Sequence, residues 1–228
     1  MIAVMGSRLA ASLAVLAFAT LAWAAGDVVV EDWSKTPVGS KGIPPGWSGQ
    51  RWGSPTYDMT VVDDGGRKVL HLRSRNEGST ISKEVKGHVN LSETPFLEWQ
   101  WKMVTLPKGG NSCVKATDDQ AGQVFVMWPR FPEQVRSRIL GYVWDTTQPV
   151  GTVCKSEKTG MVTYVVVRSG TADLGKWMTE RRNVRDDYKR VYGEDAENPG
   201  VVSLSIDSND TNSAAESFVG PIAFKASR

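Results

Sequence analysis

Leu97-Glu98-Trp99-Gln100-Trp101-Lys102-Met103 is the stretch on which the fold turns. Successive side chains of a β-strand point to opposite faces. Read with that period, Leu97, Trp99, Trp101 and Met103 share one face, and Glu98, Gln100 and Lys102 share the other. The stretch predicts a strand with one buried, aromatic face and one wet face.

Outward from it the same pattern repeats. Short runs rich in β-branched and aromatic residues stand at 28–30, 57–63, 68–74 and 79–85, and 96–105 contains the quoted stretch. Further runs follow at 123–128, 138–145, 161–169, 175–181, 200–207 and 217–224. Turn residues bound them, among them Asp64-Gly65-Gly66, Lys108-Gly109-Gly110-Asn111 and Ser169-Gly170. Residues 161–167 are nearly all apolar, which suits a strand buried on both faces. One segment departs from this. Val184, Tyr188, Val191 and Tyr192 recur at helical spacing, with Asn183 as N-cap and Gly193 as stop. With no internal repeat and no linker, the chain reads as all-β. The expected architecture is an antiparallel β-sandwich of jelly-roll type with one short surface helix.

The N-terminus sets the compartment. One positive charge, Arg8, precedes an uncharged, mostly apolar run from Leu9 to Trp23, and Ala22-Trp23-Ala24 follows the small-residue cleavage pattern. The run is about 15 residues, short of the roughly 20 that span a bilayer as a helix. Residues 1–24 therefore read as a signal peptide, residues 25–228 as one β-sandwich domain, and the location as periplasmic or secreted. No later segment is long and apolar enough to span a membrane. The formal charge is +2 for the whole chain, and leaving out Arg8 makes it nearly neutral. That balance excludes nucleic acid as the main partner. The two cysteines, Cys113 and Cys154, suit a disulfide in an exported chain.

Familiar catalytic patterns are missing. There is no phosphate-binding glycine loop, no paired-histidine zinc motif and no Gly-x-Ser-x-Gly elbow, and only His71 and His88 are present. Three polar clusters stand out instead. Asp118-Asp119 precedes the strand at 123–128, and adjacent carboxylates repel unless a cation sits between them. Glu180-Arg181-Arg182-Asn183 with Asp186-Asp187 lies at a strand-to-helix junction, where a helix N-terminus favours an anion. Asp207-Ser208-Asn209-Asp210-Thr211-Asn212 is a turn dense in oxygen ligands. It fails as an EF-hand loop, because Asn212 and Phe218 stand where Gly and Glu are needed. A looser Ca²⁺ site, hydrogen bonds to sugar hydroxyls and a plain Asx-rich turn remain the readings. Nine tryptophans are many for this length. Most read as core; one exposed beside the carboxylates would offer a stacking face to a sugar ring.

The order of motifs resembles a known family. It comprises Pro44-Pro45-Gly46-Trp47, residues 97–102 with Leu106-Pro107, and Asp118-Asp119-Gln120-Ala121. Tyr142-Val143-Trp144-Asp145, Val167-Arg168-Ser169-Gly170, residues 177–184, Asp187-Tyr188 and residues 207–211 complete it. Together they resemble the bacterial domain-of-unknown-function family 3047 across nearly the whole mature chain. The resemblance implies an exported β-sandwich akin to galactose-binding or carbohydrate-binding jelly rolls, and no established activity. The expected function is a non-catalytic binding module for a carbohydrate or cell-envelope glycan. Its expected site residues are Asp118, Asp119, Trp144, Arg182, Asn183, Asp187, Asp207, Asn209 and Asp210. No cofactor is expected, with Ca²⁺ at the acidic turn as the alternative. The competing readings are a structural or assembly protein of the envelope, and a glycan hydrolase or lyase. The enzyme would use paired carboxylates among Asp119, Glu180, Asp187 and Asp207, and its sign would be a strongly raised carboxyl pKa in a cleft.

Overall fold

The computed structural model describes residues 26–226, so the signal-peptide reading of residues 1–24 lies outside the described residues. In chain order the strands are β1 (Val28–Glu31), β2 (Ser48–Gly49), β3 (Met59–Asp63), β4 (Lys68–Arg75), β5 (Gly78–Glu84) and β6 (Phe96–Thr105). After a long loop come β7 (Gly122–Trp128), the short helix α1 (Glu133–Arg136), β8 (Arg138–Asp145), β9 (Val153–Lys155), β10 (Val162–Ser169) and β11 (Met178–Asn183). Helix α2 (Val184–Tyr192), β12 (Val201–Asp207) and β13 (Ala214–Lys225) complete the chain. One sheet has the order β11-β6-β13-β4-β3, with β1 paired to the C-terminal half of β13. The other has the order β2-β5-β12-β7-β8-β10-β9.

The two sheets pack face to face as a β-sandwich, and β6 supplies the centre of the core. Leu97, Trp99, Trp101 and Met103 are all fully buried. Trp99 lies 5.3 Å from Tyr142 of β8, and Trp101 lies 6.0 Å from Trp144 of the same strand. These contacts cross from one sheet to the other. Gly122 lets β7 come close to them, since a Cβ there would sit 2.4 Å from the Met103 methyl. Leu70 and Leu72 of β4 join the same core from one side, and Val124, Val126, Leu140 and Leu204 join it from the other.

Helix α2 matches its sequence signals. Asn183 caps it by accepting a hydrogen bond from the Asp186 N–H, and Gly193 ends it with φ of 73°. The fold departs from the sequence expectation at two places. β11 starts at Met178, because Gly175 takes a left-handed turn just before it. β10 runs parallel to β8, whereas an antiparallel neighbour was expected. Residues 146–161 carry the chain around the sheet edge, so β10 re-enters in the direction of β8. Both strands are apolar on both faces, and such strands carry no sequence mark of their direction.

Cys113 and Cys154 form a disulfide. It ties the loop between β6 and β7 to the edge strand β9. Asp145 anchors the same loop: its fully buried carboxylate accepts from the Ser112 N–H at 2.7 Å and from the N–H groups of Thr147 and Gln148. Closing a loop of this length restricts the unfolded chain. The double variant Cys113→Ser, Cys154→Ser should lose about 2–4 kcal/mol of unfolding free energy in urea titrations. An unchanged midpoint would mean that the carboxylate anchor alone holds the loop.

Candidate functional site

The face of the second sheet that turns away from the core forms a groove of about 680 Å³. Period 2 decides its lining. On β7, Val124 and Val126 point inward, so Gln123, Phe125 and Met127 point out. On β12, Val202, Leu204 and Ile206 point inward, so Ser203, Ser205 and Asp207 point out. Ser203 lies opposite Ser82 of β5, and Ser205 lies opposite Thr80. The hydroxyls of the two pairs hydrogen-bond at 2.8 and 2.9 Å.

The other side of the groove is aromatic and aliphatic. Phe125 lies opposite Gly141 of β8, and Gly141 lies opposite Tyr164 of β10. A Cβ at position 141 would stand 2.8 Å from the Phe125 ring and 3.0 Å from the Tyr164 ring. Glycine is what lets both rings lie on this surface. The segment after β2 closes the hydroxyl side. The Gln50 N–H donates to the Thr80 carbonyl, and the Thr80 N–H donates to Gln50 Oε1. Gln50 Nε2 donates to the Trp52 carbonyl at 2.9 Å. The Trp52 side chain lines the groove and is 65% exposed.

A charged cluster opens on this groove. Asp118 and Asp119 come from the turn before β7, Asp207 from the end of β12, Asp210 from the turn after it, and Lys158 from the turn between β9 and β10. The Asp118 carboxyl accepts from Gln120 Nε2 at 3.1 Å, the Tyr164 hydroxyl at 3.3 Å and the Ser156 hydroxyl at 3.4 Å. Asp119 is fully buried and spends its oxygens on the N–H groups of Asp210 and Thr211. Lys158 pairs with the Asp210 carboxylate and donates to the Asp118 carbonyl at 3.3 Å. It is the cation that adjacent carboxylates require, and it comes from the protein itself. Among the described residues no group of three or more His, Cys, Asp or Glu side chains is arranged to hold a metal ion.

Burial and neighbouring charge shift these groups. Burial pushes the Asp118 carboxyl up to about 6, against the opposing pull of the Gln120 hydrogen bond and of Lys158. Burial, reinforced by the hydrogen-bonded Asp119 carboxyl, pushes Asp207 up to about 8. Burial also raises the Tyr164 hydroxyl, and the adjacent Asp118 adds to that. Burial alone would lower Lys158, but Asp210, Asp207 and Asp118 outweigh it and hold the ammonium above its ordinary value.

Of the expected site residues, the structure brings Asp118, Asp119, Asp207, Asn209 and Asp210 together here. Trp144, Arg182, Asn183 and Asp187 lie elsewhere, and none lines the groove. Trp144 is 1% exposed and donates its N–H to the Gly170 carbonyl, so no ligand reaches its ring. Arg182 holds Asp187 with two hydrogen bonds at 2.9 and 2.6 Å, and Tyr142 donates to the same carboxylate at 3.0 Å. Asn183 is the α2 cap. That junction is a lock between β11, α2 and β8. Sequence reasoning passed over Lys158, Tyr164 and Phe125; it expects an exposed tryptophan as a stacking face but does not single out Trp52. Only the alternation Gln123, Phe125, Met127 on β7 carried a signal, an outward face with two large apolar side chains.

Asp207 holds its proton more tightly when folded than at its ordinary value of 3.8. Between about pH 4 and pH 8 the folded state therefore carries the extra proton, and stability falls as pH rises through that window. Asp207→Asn removes this slope. Urea midpoints at pH 5 and pH 8 should show the variant gaining on the wild type at the higher pH. Equal differences at both values would mean an ordinary, solvated carboxyl.

No curated protein matches this chain. Among solved structures, the family 11 carbohydrate-binding module of Clostridium thermocellum, in complex with a β-1,3-1,4-mixed-linked tetrasaccharide, is 8% identical. It has a TM-score of 0.48, with 88% of this chain and 96% of the module covered. The family 30 module of a Clostridium thermocellum cellulosomal cellulase is 14% identical, with a TM-score of 0.45 over 88% of this chain and 97% of its own. The xyloglucanase domain of a Sinorhizobium fredii type three effector, in complex with cellobiose, is 11% identical, with a TM-score of 0.43 over 79% and 93%. None of these likenesses is close enough to bring a ligand or an activity with it. The family model described as protein of unknown function (DUF3047) matches residues 46–223, most of the sandwich and all of the groove's acidic cluster, and the chain belongs to that family.

Proposed function

We propose that this chain is an exported carbohydrate-binding protein, and that a neutral glycan lies along the groove of the second sheet with one sugar ring stacked on Trp52. The observation that carries this reading is an exposed indole beside two rows of paired hydroxyls. A pyranose presents apolar C–H faces to an aromatic ring and a rim of hydroxyls to polar groups. The groove offers both, with the amides of Gln50 and Gln123 among the hydroxyls. Among the described residues its lining holds one cation, Lys158, already paired with Asp210. The Asp118 and Asp207 carboxyl groups on the same lining favour a neutral glycan over an acidic one. The disulfide and the reading of residues 1–24 support an oxidising compartment.

Trp52→Ala tests the stacking contact. Calorimetric titration with neutral oligosaccharides should show affinity falling about three- to tenfold, from the loss of one ring contact. The melting point should stay near that of the wild type, since an exposed side chain contributes little to stability. By contrast Trp144→Ala should cost about 3–5 kcal/mol of stability by opening a cavity between the sheets. Equal affinity in Trp52→Ala and wild type would remove the groove as the binding face.

A further inference from the structure

The two carboxyl groups that line the groove are held in opposite ways. Asp118 faces donors: the Gln120 amide, the Tyr164 hydroxyl and the Ser156 hydroxyl. Donors favour the ionised carboxylate. Asp207 faces an acceptor. Its hydrogen-bonded neighbour is the Asp119 carboxyl, whose oxygens already accept from two backbone N–H groups. Two carboxyl groups in contact repel unless one holds a proton, and Asp207 is the one with no such anchors on its own oxygens beyond a long contact from the Asn209 N–H at 3.4 Å. The groove is thus lined by one carboxyl group set among donors and one set against another carboxyl group.

We propose that the groove cleaves the glycan it binds, as a glycoside hydrolase with Asp207 as general acid and Asp118 as general base. This rests on the carbohydrate reading of the groove. The bond broken is the glycosidic C1–O bond. Asp207 gives its proton to the departing oxygen, a water molecule adds its oxygen to C1, and the proton of that water passes to Asp118. One water is consumed, and solvent returns the proton from Asp118 to Asp207. Lys158, which bonds Asp210 and the Asp118 carbonyl, and Asp119, beside Asp207, are positioning residues.

The rate should follow a bell with pH, rising as Asp118 ionises and falling as Asp207 loses its proton. The groups facing Asp118 are Lys158, Tyr164 and Asp210; those facing Asp207 are Asp119 and Lys158. The limbs should lie near 6 and near 8.

The test uses the full chain and four probes, hexasaccharides with glucan, xylan, mannan and N-acetylglucosamine backbones, in H₂¹⁸O. Mass spectrometry reads the products and calorimetry reads binding. At least one hexasaccharide should be cut, with ¹⁸O in the new reducing end. Asp207→Asn keeps the shape and neutrality of the acid. It should bind that hexasaccharide within about threefold of wild type, melt no lower at pH 7, and cut it at least about 100-fold more slowly. Asp118→Asn should also lose turnover. Binding without cleavage overturns the hydrolase and leaves the binding reading standing. Cleavage without ¹⁸O incorporation, or undiminished in Asp207→Asn, overturns it too. Failure of all four hexasaccharides to bind removes the binding reading and the hydrolase with it.

Discussion

The contact of Trp99 and Trp101 with Tyr142 and Trp144 is the constraint from which the rest of this structure follows. Two large rings on β6 need two large rings on β8 to meet them across the sandwich. Once Tyr142 and Trp144 turn inward, Ile139, Gly141 and Val143 of the same strand must turn outward. The register then carries that choice from strand to strand. It puts Phe125 and Gln123 outward on β7, Ser203 and Ser205 outward on β12, and Thr80 and Ser82 outward on β5. The lining of the groove is set by the packing on its opposite side. A slip of one residue between β7 and β8 would bury the hydroxyl rows and expose the valines.

This explains which parts were legible in the amino-acid sequence. The alternation in β6 is unambiguous because its two faces differ in polarity, and its predicted bounds, 96–105, coincide with those observed. Helix α2 was legible for a local reason, a cap and a stop at the right separation. β8 is different. Ile139, Leu140, Tyr142, Val143 and Trp144 are apolar on both faces, so the sequence does not say which set turns inward. Trp144, expected at the ligand site, turns inward because Trp101 needs a partner. The parallel entry of β10 and the tiny strand β9 depend on a long connection, and local patterning carries no trace of them. Five of the acidic and amide residues expected at a site do converge. The lysine that holds them together sits about 40 residues from the first of them, in a turn with no distinguishing motif.

The disulfide acquires its meaning from that convergence. Asp118 and Asp119 lie on a long loop with little regular structure of its own, and Lys158 lies on a neighbouring turn. Cys113–Cys154 joins the two stretches close to both. The Lys115 N–H, donating to Glu157 at 2.9 Å, adds a second link between the same stretches. Charges placed on freely moving loops would separate by mutual repulsion or be screened by water. Held together, they stay close enough for burial and mutual charge to act on their proton affinities.

Two polar clusters of similar composition can be separated by asking which oxygens folding already uses. At the α2 junction, Asp187 accepts from Arg182 through both oxygens and from Tyr142 and Arg190 as well. Every lone pair there has a structural duty, and truncating Asp187 would leave buried donors unpaired. Asp119 likewise anchors a turn through the Asp210 and Thr211 N–H groups. Asp118 and Asp207 differ from these in lining the groove. Asp118 accepts from the Gln120 amide and, at longer range, from two hydroxyls, whereas Asp207 has one long N–H contact and an acidic neighbour. Burying a carboxyl group against another acid, as Asp207 is buried against Asp119, costs stability, and an asparagine at position 207 would relieve it without changing the shape of the turn. The groove is the feature of the structure that both acids line, Asp118 from a nearly buried position.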